Sequence, residues 1–142
     1  MYKLDSMVVQ KEITLPAFAK GFHLIDDIVL EALGQLPETG LLNIFLKHTS
    51  AALMLNENAD PDVRTDLDTL FTRMAPEGAP FYTHVLEGTD DMPAHFKSAI
   101  LGTSLTIPIS HHRLNTGIWQ GIYFCEFRRN GGRRKLVLTV YS

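Results

Sequence analysis

The stretch GIWQGIYFCEFRRNGGRRKLVLTVYS, residues 117–142, decides the fold. Its first half reads as a strand that is apolar on both sides: Trp119, Tyr123 and Phe127 share one face, Ile122 and Phe124 the other. Such a strand needs a covering layer above and below, so it sits deep in the molecule. RRNGGRRK, residues 128–135, has Gly131 and Gly132 at its centre, which predicts a hairpin turn carrying solvated arginines. RKLVLTVYS then returns as a second strand. Gly117 and Gly121 flank Trp119 and Gln120, and glycine inside a strand pattern predicts a bulge or the close approach of another backbone or a ligand.

Working outward from this hairpin, SLTIPI (104–109) is a further strand, placed at an edge or bulged because Pro108 has no N–H to give a ladder. A turn around His111 and His112 follows it, with both side chains expected to be exposed. In LLNIFLKHTS (41–50), Leu42, Ile44, Leu46 and His48 share one strand face, with ALMLNE (52–57) as the next strand. MVVQKEITL (7–15) alternates: Met7, Val9 and Ile13 face one way and Gln10, Glu12 and Thr14 the other, a half-buried strand with Lys11 the exception. Three helices are predicted. Ile25, Ile28, Val29, Ala32, Leu33 and Leu36 fall at helical spacing, with Gly34 and Pro37 marking the end and His23 near the start. Asp60 caps a second helix with Pro61 at its first position and a buried stripe of Val63, Leu67, Leu70, Phe71 and Met74. Asp91 caps the third, Pro93 lies in its first turn, Met92, Phe96, Ala99 and Ile100 form its stripe, and Gly102 ends it. The expected fold is α+β: a single compact domain over 1–142, mainly an antiparallel β-sandwich or barrel-like core with about three packed helices.

A chain of 142 residues can bury a full core without staples. The formal net charge of −3 argues against a nucleic-acid partner, which would need a basic face. Cys125 is the one cysteine; it forms no internal disulfide, suits a reducing compartment and reads as a small buried hydrophobe. MYKLDSMVVQK lacks the apolar core of a leader, and no apolar run approaches the roughly 18–20 residues of a membrane helix. The expectation is a soluble cytoplasmic protein with a small-molecule substrate and neither membrane nor nucleic acid as partner.

The chemistry concentrates in HVLEGTDDMPAHFK, residues 84–97. His95 lies four residues after Asp91, so both project from one side of a helix, and the acidic loop between can fold back to bring His84 to His95. With His48 as a third imidazole, the set resembles a catalytic zinc or similar divalent site with an open position, and Glu57, Asp90 and Asp91 are candidates to orient the rings. The alternative is that each histidine is separately satisfied, His48 in the core and the other two at the surface. A phosphate at the helix start would compete with Asp90 and Asp91, so it would fall to Lys97, an arginine or a metal ion. NENADPDVRTD lacks the glycine and terminal glutamate of a calcium loop; Asn56 and Glu57, directly after a buried strand, are the better site candidates. Gln120 reads either as a reader of a polar ligand edge or as a solvated residue, and Trp119 either as a ligand contact or as core. No phosphate-binding glycine loop, GxSxG elbow or CxxC pair is present.

Together, HTSAALMLNENADPDVRTDL, HVLEGTDDMPAHFKSAILGTSLTIPI and LNTGIWQGIYFCEFR resemble the YjbQ-like family of secondary thiamine-phosphate synthase enzymes, in order and spacing from about His48 to the C-terminus. The resemblance implies a compact α+β fold with a sandwich-like core and a homotrimer. The family's shared polar positions fall on His48, Thr49, Ser50, Asn56, Glu57, His84, Glu87, Gly88, Asp90, His95, Lys97, Gly117, Trp119 and Gln120; Ile118 stands where threonine is usual. It implies His48, His84 and His95 as metal ligands and Glu57, Asp90 and Lys97 as catalytic groups. Thr49, Ser50, Asn56, Trp119 and Gln120 would then contact substrate. The implied reaction joins hydroxymethylpyrimidine pyrophosphate to thiazole phosphate with release of pyrophosphate, which needs charge neutralised by a divalent metal ion and a cation. Imidazole ligands favour zinc or another transition metal, whereas magnesium suits the synthase reaction. Two other readings stand beside it: a metal-dependent hydrolase or lyase on a small phosphorylated or carboxylated metabolite, and a trimeric ligand-binding protein without turnover.

Overall fold

The computed structural model describes residues 6–142; the opening residues of the N-terminal stretch read above, 1–5, lie outside them. The strands are β1 (Val8–Thr14), β2 (Gly21–Leu24), β3 (Thr39–Leu46), β4 (Ala51–Glu57), β5 (Ser104–Ser110), β6 (Arg113–Leu114), β7 (Gln120–Glu126) and β8 (Lys135–Tyr141). The helices are α1 (Asp26–Leu33), α2 (Pro61–Met74) and α3 (Asp91–Leu101). Two antiparallel sheets result, one in the order β1-β8-β3-β5-β6 and one in the order β2-β7-β4.

β7 is the middle strand of the smaller sheet and faces a core on each side. Ile122 and Phe124 join the core between the sheets, with Leu42, Ile44 and Leu46 of β3 and Leu136, Leu138 and Val140 of β8. Tyr123, Cys125 and Phe127 face the opposite way, against Ala94 of α3 and Leu67 of α2. The register explains the first core: Leu42 pairs with Ile107 on one side and Val140 on the other, so apolar side chains form continuous rows across three strands. Removing Cys125 from water pushes its thiol well above the ordinary value and leaves it inert.

The expected hairpin at RRNGGRRK is absent: β7 and β8 lie in different sheets, so the turn carries the chain from one sheet to the other. Several burial patterns also differ from the sequence expectation. β1 is an edge strand of the larger sheet; Met7 before it and Val9 within it stay 61% and 52% exposed, and Ile13 packs on the core. β2, which is only four residues long and contains His23, was not expected; that ring stacks on Phe18 and donates to the Ala19 carbonyl. On α2 the Asp60 cap is present, its carboxylate accepting from the Asp62 N–H at 2.9 Å, but Leu70 and Met74 are exposed. On α3 the expected stripe is inverted. Phe96, Ala99 and Ile100 face outward, while Asp91, Ala94, Lys97 and Ser98 are buried, and the N-cap is Asp90 rather than Asp91. A helix presents one face to its neighbour, and here the inward face carries Asp91, paired with Arg128, and Ala94, packed in the second core.

Candidate metal centre and its surroundings

α3 begins where the acidic loop ends, so Asp91 and His95 lie one above the other on its first turn. The loop before it returns His84 to the same place. His84 Nε2 lies 2.6 Å and His95 Nε2 3.0 Å from the same oxygen, Asp91 Oδ2, and the ring centroids are 5.4 Å apart. The imidazoles remain open to solvent while the Asp91 side chain is only 2% exposed. These three residues each offer one ligand atom within 4.8 Å of the others, so the group could hold a metal ion.

The hydrogen bonds behind this group determine its chemistry. His95 Nδ1 lies 2.8 Å from the Thr49 carbonyl. A carbonyl only accepts, so Nδ1 carries the hydrogen and the neutral ring turns the lone pair of Nε2 towards Asp91 Oδ2. Two electron-rich atoms then face each other, an arrangement that requires a cation between them or a second proton on the ring. A metal-ligating histidine bonded through its other nitrogen to a backbone carbonyl has this form. Asp91 is held from behind by Arg128 Nη1 on Oδ1, and Arg128 Nη2 donates to the Glu87 carbonyl at 2.9 Å. Asp90 faces Arg128 Nε at 3.3 Å, off hydrogen-bond alignment, and accepts the Arg129 N–H at 3.0 Å. Burial raises the Asp91 carboxyl, but His84, His95 and Arg128 overcome it and hold the group below the ordinary aspartate range. Asp90 is likewise raised by burial and lowered further by the Arg129 N–H and Arg128.

His48 lies elsewhere. Its Nε2 accepts the Lys135 N–H at 2.9 Å and its Nδ1 faces Arg134 Nη1 at 3.5 Å, so it does not join the other two imidazoles. Thr49 contributes its carbonyl to His95, and the Ser50 hydroxyl accepts from Arg134 at 3.0 Å. Asn56 Oδ1 accepts the Glu57 N–H at 2.8 Å, and the Tyr123 hydroxyl donates to the Glu57 carbonyl, which pins the end of β4. Gln120 Oε1 accepts the Gly117 N–H at 2.8 Å, which closes a tight loop and leaves Trp119 60% exposed. Lys97 is 2% exposed, with its ammonium 5.5 Å from the centre of the Phe127 ring, and burial lowers its pKa. The ion pairs among the described residues do not include it.

The arginines expected to be solvated include two that are not. Arg128 holds Asp91, and Arg134 is 6% exposed and doubly bonded to Glu126, itself fully buried. A Cβ on Gly131 would stand 2.3 Å from Glu126 Oε1, so that glycine makes room for the carboxylate as well as turning the chain. Glu126 lies in phase with Ile122 and Phe124, and a charged residue on the core-facing phase of a strand was the available signal for a buried partner. Asp91 as a ligand was masked by its suitability as a helix cap.

Residues 11–142 match the model of the UPF0047 protein YjbQ-like family, so the chain belongs to that family. The UPF0047 protein YjbQ of Escherichia coli O157:H7 is 48% identical over 136 residues, which cover 94% of this chain and 98% of that protein. A conserved hypothetical protein from Thermus thermophilus has a similar structure, with a TM-score of 0.78 and 34% identity over 91% of this chain and 97% of its own. A YbjQ-like protein of unknown function from Sulfolobus solfataricus has the same fold at a TM-score of 0.82, covering 96% and 99% of the two chains at 22% identity. None of these three names carries an activity, so the thiamine-phosphate chemistry rests on the resemblance alone.

Proposed function

We propose that this YjbQ-like protein is a metal-dependent hydrolase or lyase acting on a small phosphorylated or carboxylated metabolite, with His84, Asp91 and His95 holding the ion. One observation carries the reading: His95 Nδ1 donates to the Thr49 carbonyl, which leaves Nε2, 3.0 Å from an Asp91 carboxylate oxygen, to take an ion or a proton. Two imidazoles and one carboxylate suit zinc, iron or nickel better than magnesium. A divalent ion held there supplies a Lewis acid that polarises a carbonyl or phosphoryl oxygen and makes water acidic near neutral pH. Arg128 keeps the Asp91 carboxylate ionised and turned towards the imidazoles, and Asp90 steadies the arginine. The solvent-open rings of His84 and His95 leave room for a substrate at the same place.

Thiamine-phosphate synthesis is the second reading, favoured by exposed Trp119, whose ring is available to stack on a heteroaromatic substrate. It also asks Lys97 to meet the leaving pyrophosphate, and that side chain lies beneath α3. We further propose a homotrimer: Leu41, Phe45 and Tyr141 form exposed apolar positions on the outer face of the larger sheet, a surface suited to a second copy. The reducing interior of the cell suits the free, buried Cys125. Among the described residues, no helix is long and apolar enough to cross a membrane.

The experiment is elemental analysis of the untagged protein beside the His84→Ala/His95→Ala double variant, followed by turnover assays on phosphate monoesters, on small carboxylic acids and on the synthase substrate pair. One transition-metal ion per chain, absent from the double variant, together with hydrolysis or elimination that disappears with it, is the expected result. Equal metal content in both proteins overturns the assignment, and turnover confined to the pyrophosphate displacement selects the second reading.

A further inference from the structure

On the other side of Thr49 from His95, the groups that meet are all donors. The neutral His48 imidazole has one acceptor nitrogen, and Nε2 uses it on the Lys135 N–H at 2.9 Å. Nδ1 therefore carries the hydrogen. Yet Nδ1 faces Arg134 Nη1 at 3.5 Å, and a guanidinium nitrogen can only donate. The rest of Arg134 is spent: Nε donates to Glu126 Oε2 at 2.7 Å, and Nη2 donates to Glu126 Oε1 at 2.6 Å and to Ser50 at 3.0 Å. The two N–H groups of Nη1 have no acceptor among the described residues other than a ring nitrogen that cannot accept. The Arg134 side chain is 8% exposed, so solvent reaches little of it.

A buried donor without an acceptor is unfavourable, and here two donors, His48 Nδ1–H and Arg134 Nη1–H, meet at 3.5 Å. Protonating His48 only adds a charge beside the guanidinium. Burial first, and then Arg134, hold the His48 ring below its ordinary pKa, with Lys135 and Lys47 adding to the effect and only Glu126 opposing it. The surroundings thus disfavour a second proton on the ring. The bidentate grip of Glu126 fixes the guanidinium plane, with Nη1 turned away from Glu126. The Ser50 hydroxyl, which accepts from Nη2, keeps its own hydrogen to donate.

We propose that His48 Nδ1–H and Arg134 Nη1–H form an oxyanion subsite, separate from the metal-binding group, that takes a phosphate or carboxylate oxygen. Thr49 links the two: its carbonyl accepts from His95, and its neighbours His48 and Ser50 both meet Arg134. A substrate whose anionic group sits at His48 and Arg134 would then be anchored beside the reacting centre. That last step, assigning the oxyanion to the substrate, rests on the metal-centre reading; the binding of an anion does not.

The test is calorimetric titration of the metal-stripped protein with inorganic phosphate and with acetate, at constant ionic strength set with chloride. The same titrations are run on His48→Ala and on His84→Ala/His95→Ala. Arg134 is left intact, because removing it strands buried Glu126. The expected result is saturable binding of phosphate, acetate or both at one site per chain, retained in the double variant and weakened at least tenfold in His48→Ala. Phosphate alone marks a phosphate ester as the ligand class; acetate binding extends it to carboxylates. In the ¹⁵N-labelled parent, His48 Nδ1 should show a protonated-type nitrogen shift that moves as the anion saturates, a readout independent of any variant. The absence of saturable binding by either anion overturns the proposal, as does equal affinity in His48→Ala or an Nε2–H tautomer at His48. A failed metal reading leaves the phosphate titration unchanged, and a failed oxyanion reading leaves the metal content unchanged, so the two are separately falsifiable.

Discussion

His95 and His48 lie on either side of the same residue, Thr49, in opposite electrostatic settings. His95 donates to the Thr49 carbonyl and turns a lone pair on a buried carboxylate, with a second imidazole sharing the same oxygen. His48 accepts from a backbone N–H and turns its remaining hydrogen on a buried guanidinium. One setting has a surplus of acceptors and calls for a cation; the other has a surplus of donors and calls for an anion. An imidazole has no fixed role, and what its far nitrogen touches decides which face it offers. Three histidines counted as one ligand set therefore divide into a pair and a single ring with different tasks.

The contrast is broken most forcefully at Arg134. Arg134→Met leaves Glu126 buried without its partner and should lower stability by about 3–5 kcal/mol, read from urea unfolding. An unchanged midpoint would mean that the pair contributes nothing to the fold. At the other end, Arg128→Met removes the group behind Asp91 while leaving His84, Asp91 and His95 in place. Metal affinity, measured by competition with a chelator, should fall about 10–100-fold; an unchanged affinity would show that Asp91 needs no support.

Lys97 sharpens the comparison because it is a buried cation that belongs to neither end. Its folded pKa is depressed by burial, so the folded state binds the proton less well than the unfolded chain. Its cost is therefore largest at neutral pH and is relieved as pH rises through the folded value towards the ordinary 10.5. Lys97→Met should raise stability by about 1 kcal/mol at pH 7, with the gain shrinking in alkali. A loss of stability at pH 7 would show that the cation–π contact with Phe127 outweighs burial. The smallest effect concerns the acidic turn. The depressed Asp90 carboxyl contributes stability that is present above the ordinary 3.8 and is lost as pH falls through its lower folded value. Metal-free Asp90→Asn should therefore lose a few tenths of a kcal/mol at pH 6 and show a shallower fall in melting temperature between pH 4 and 2. Parallel curves for parent and variant would remove Asp90 from the support of Arg128.

The strands on either side of the 127–134 turn and all three helices were readable from periodicity, since an apolar residue every second or every third to fourth position is a local property of the chain; that the two strands cross between sheets instead of pairing as a hairpin was not. The meeting of Asp91 with His95 was readable for the same reason, as two residues one helical turn apart. β2 was not, because four residues carry too little pattern. The buried face of α3 was misread, because Phe96 and Ile100 have the spacing of a core stripe and nothing local opposes it.

By itself, then, the sequence determined the periods, the turns and the family to which the chain belongs. Only the tertiary structure decided which arginines are buried, which face of α3 turns inward and which histidines meet. Those outcomes depend on pairings that the fold makes, Arg128 with Asp91 and Arg134 with Glu126. Burying a charge is tolerated only where its partner arrives, and the arrival of Asp91, 37 residues from Arg128, or of Glu126, across the turn from Arg134, is a property of the fold and not of any local pattern.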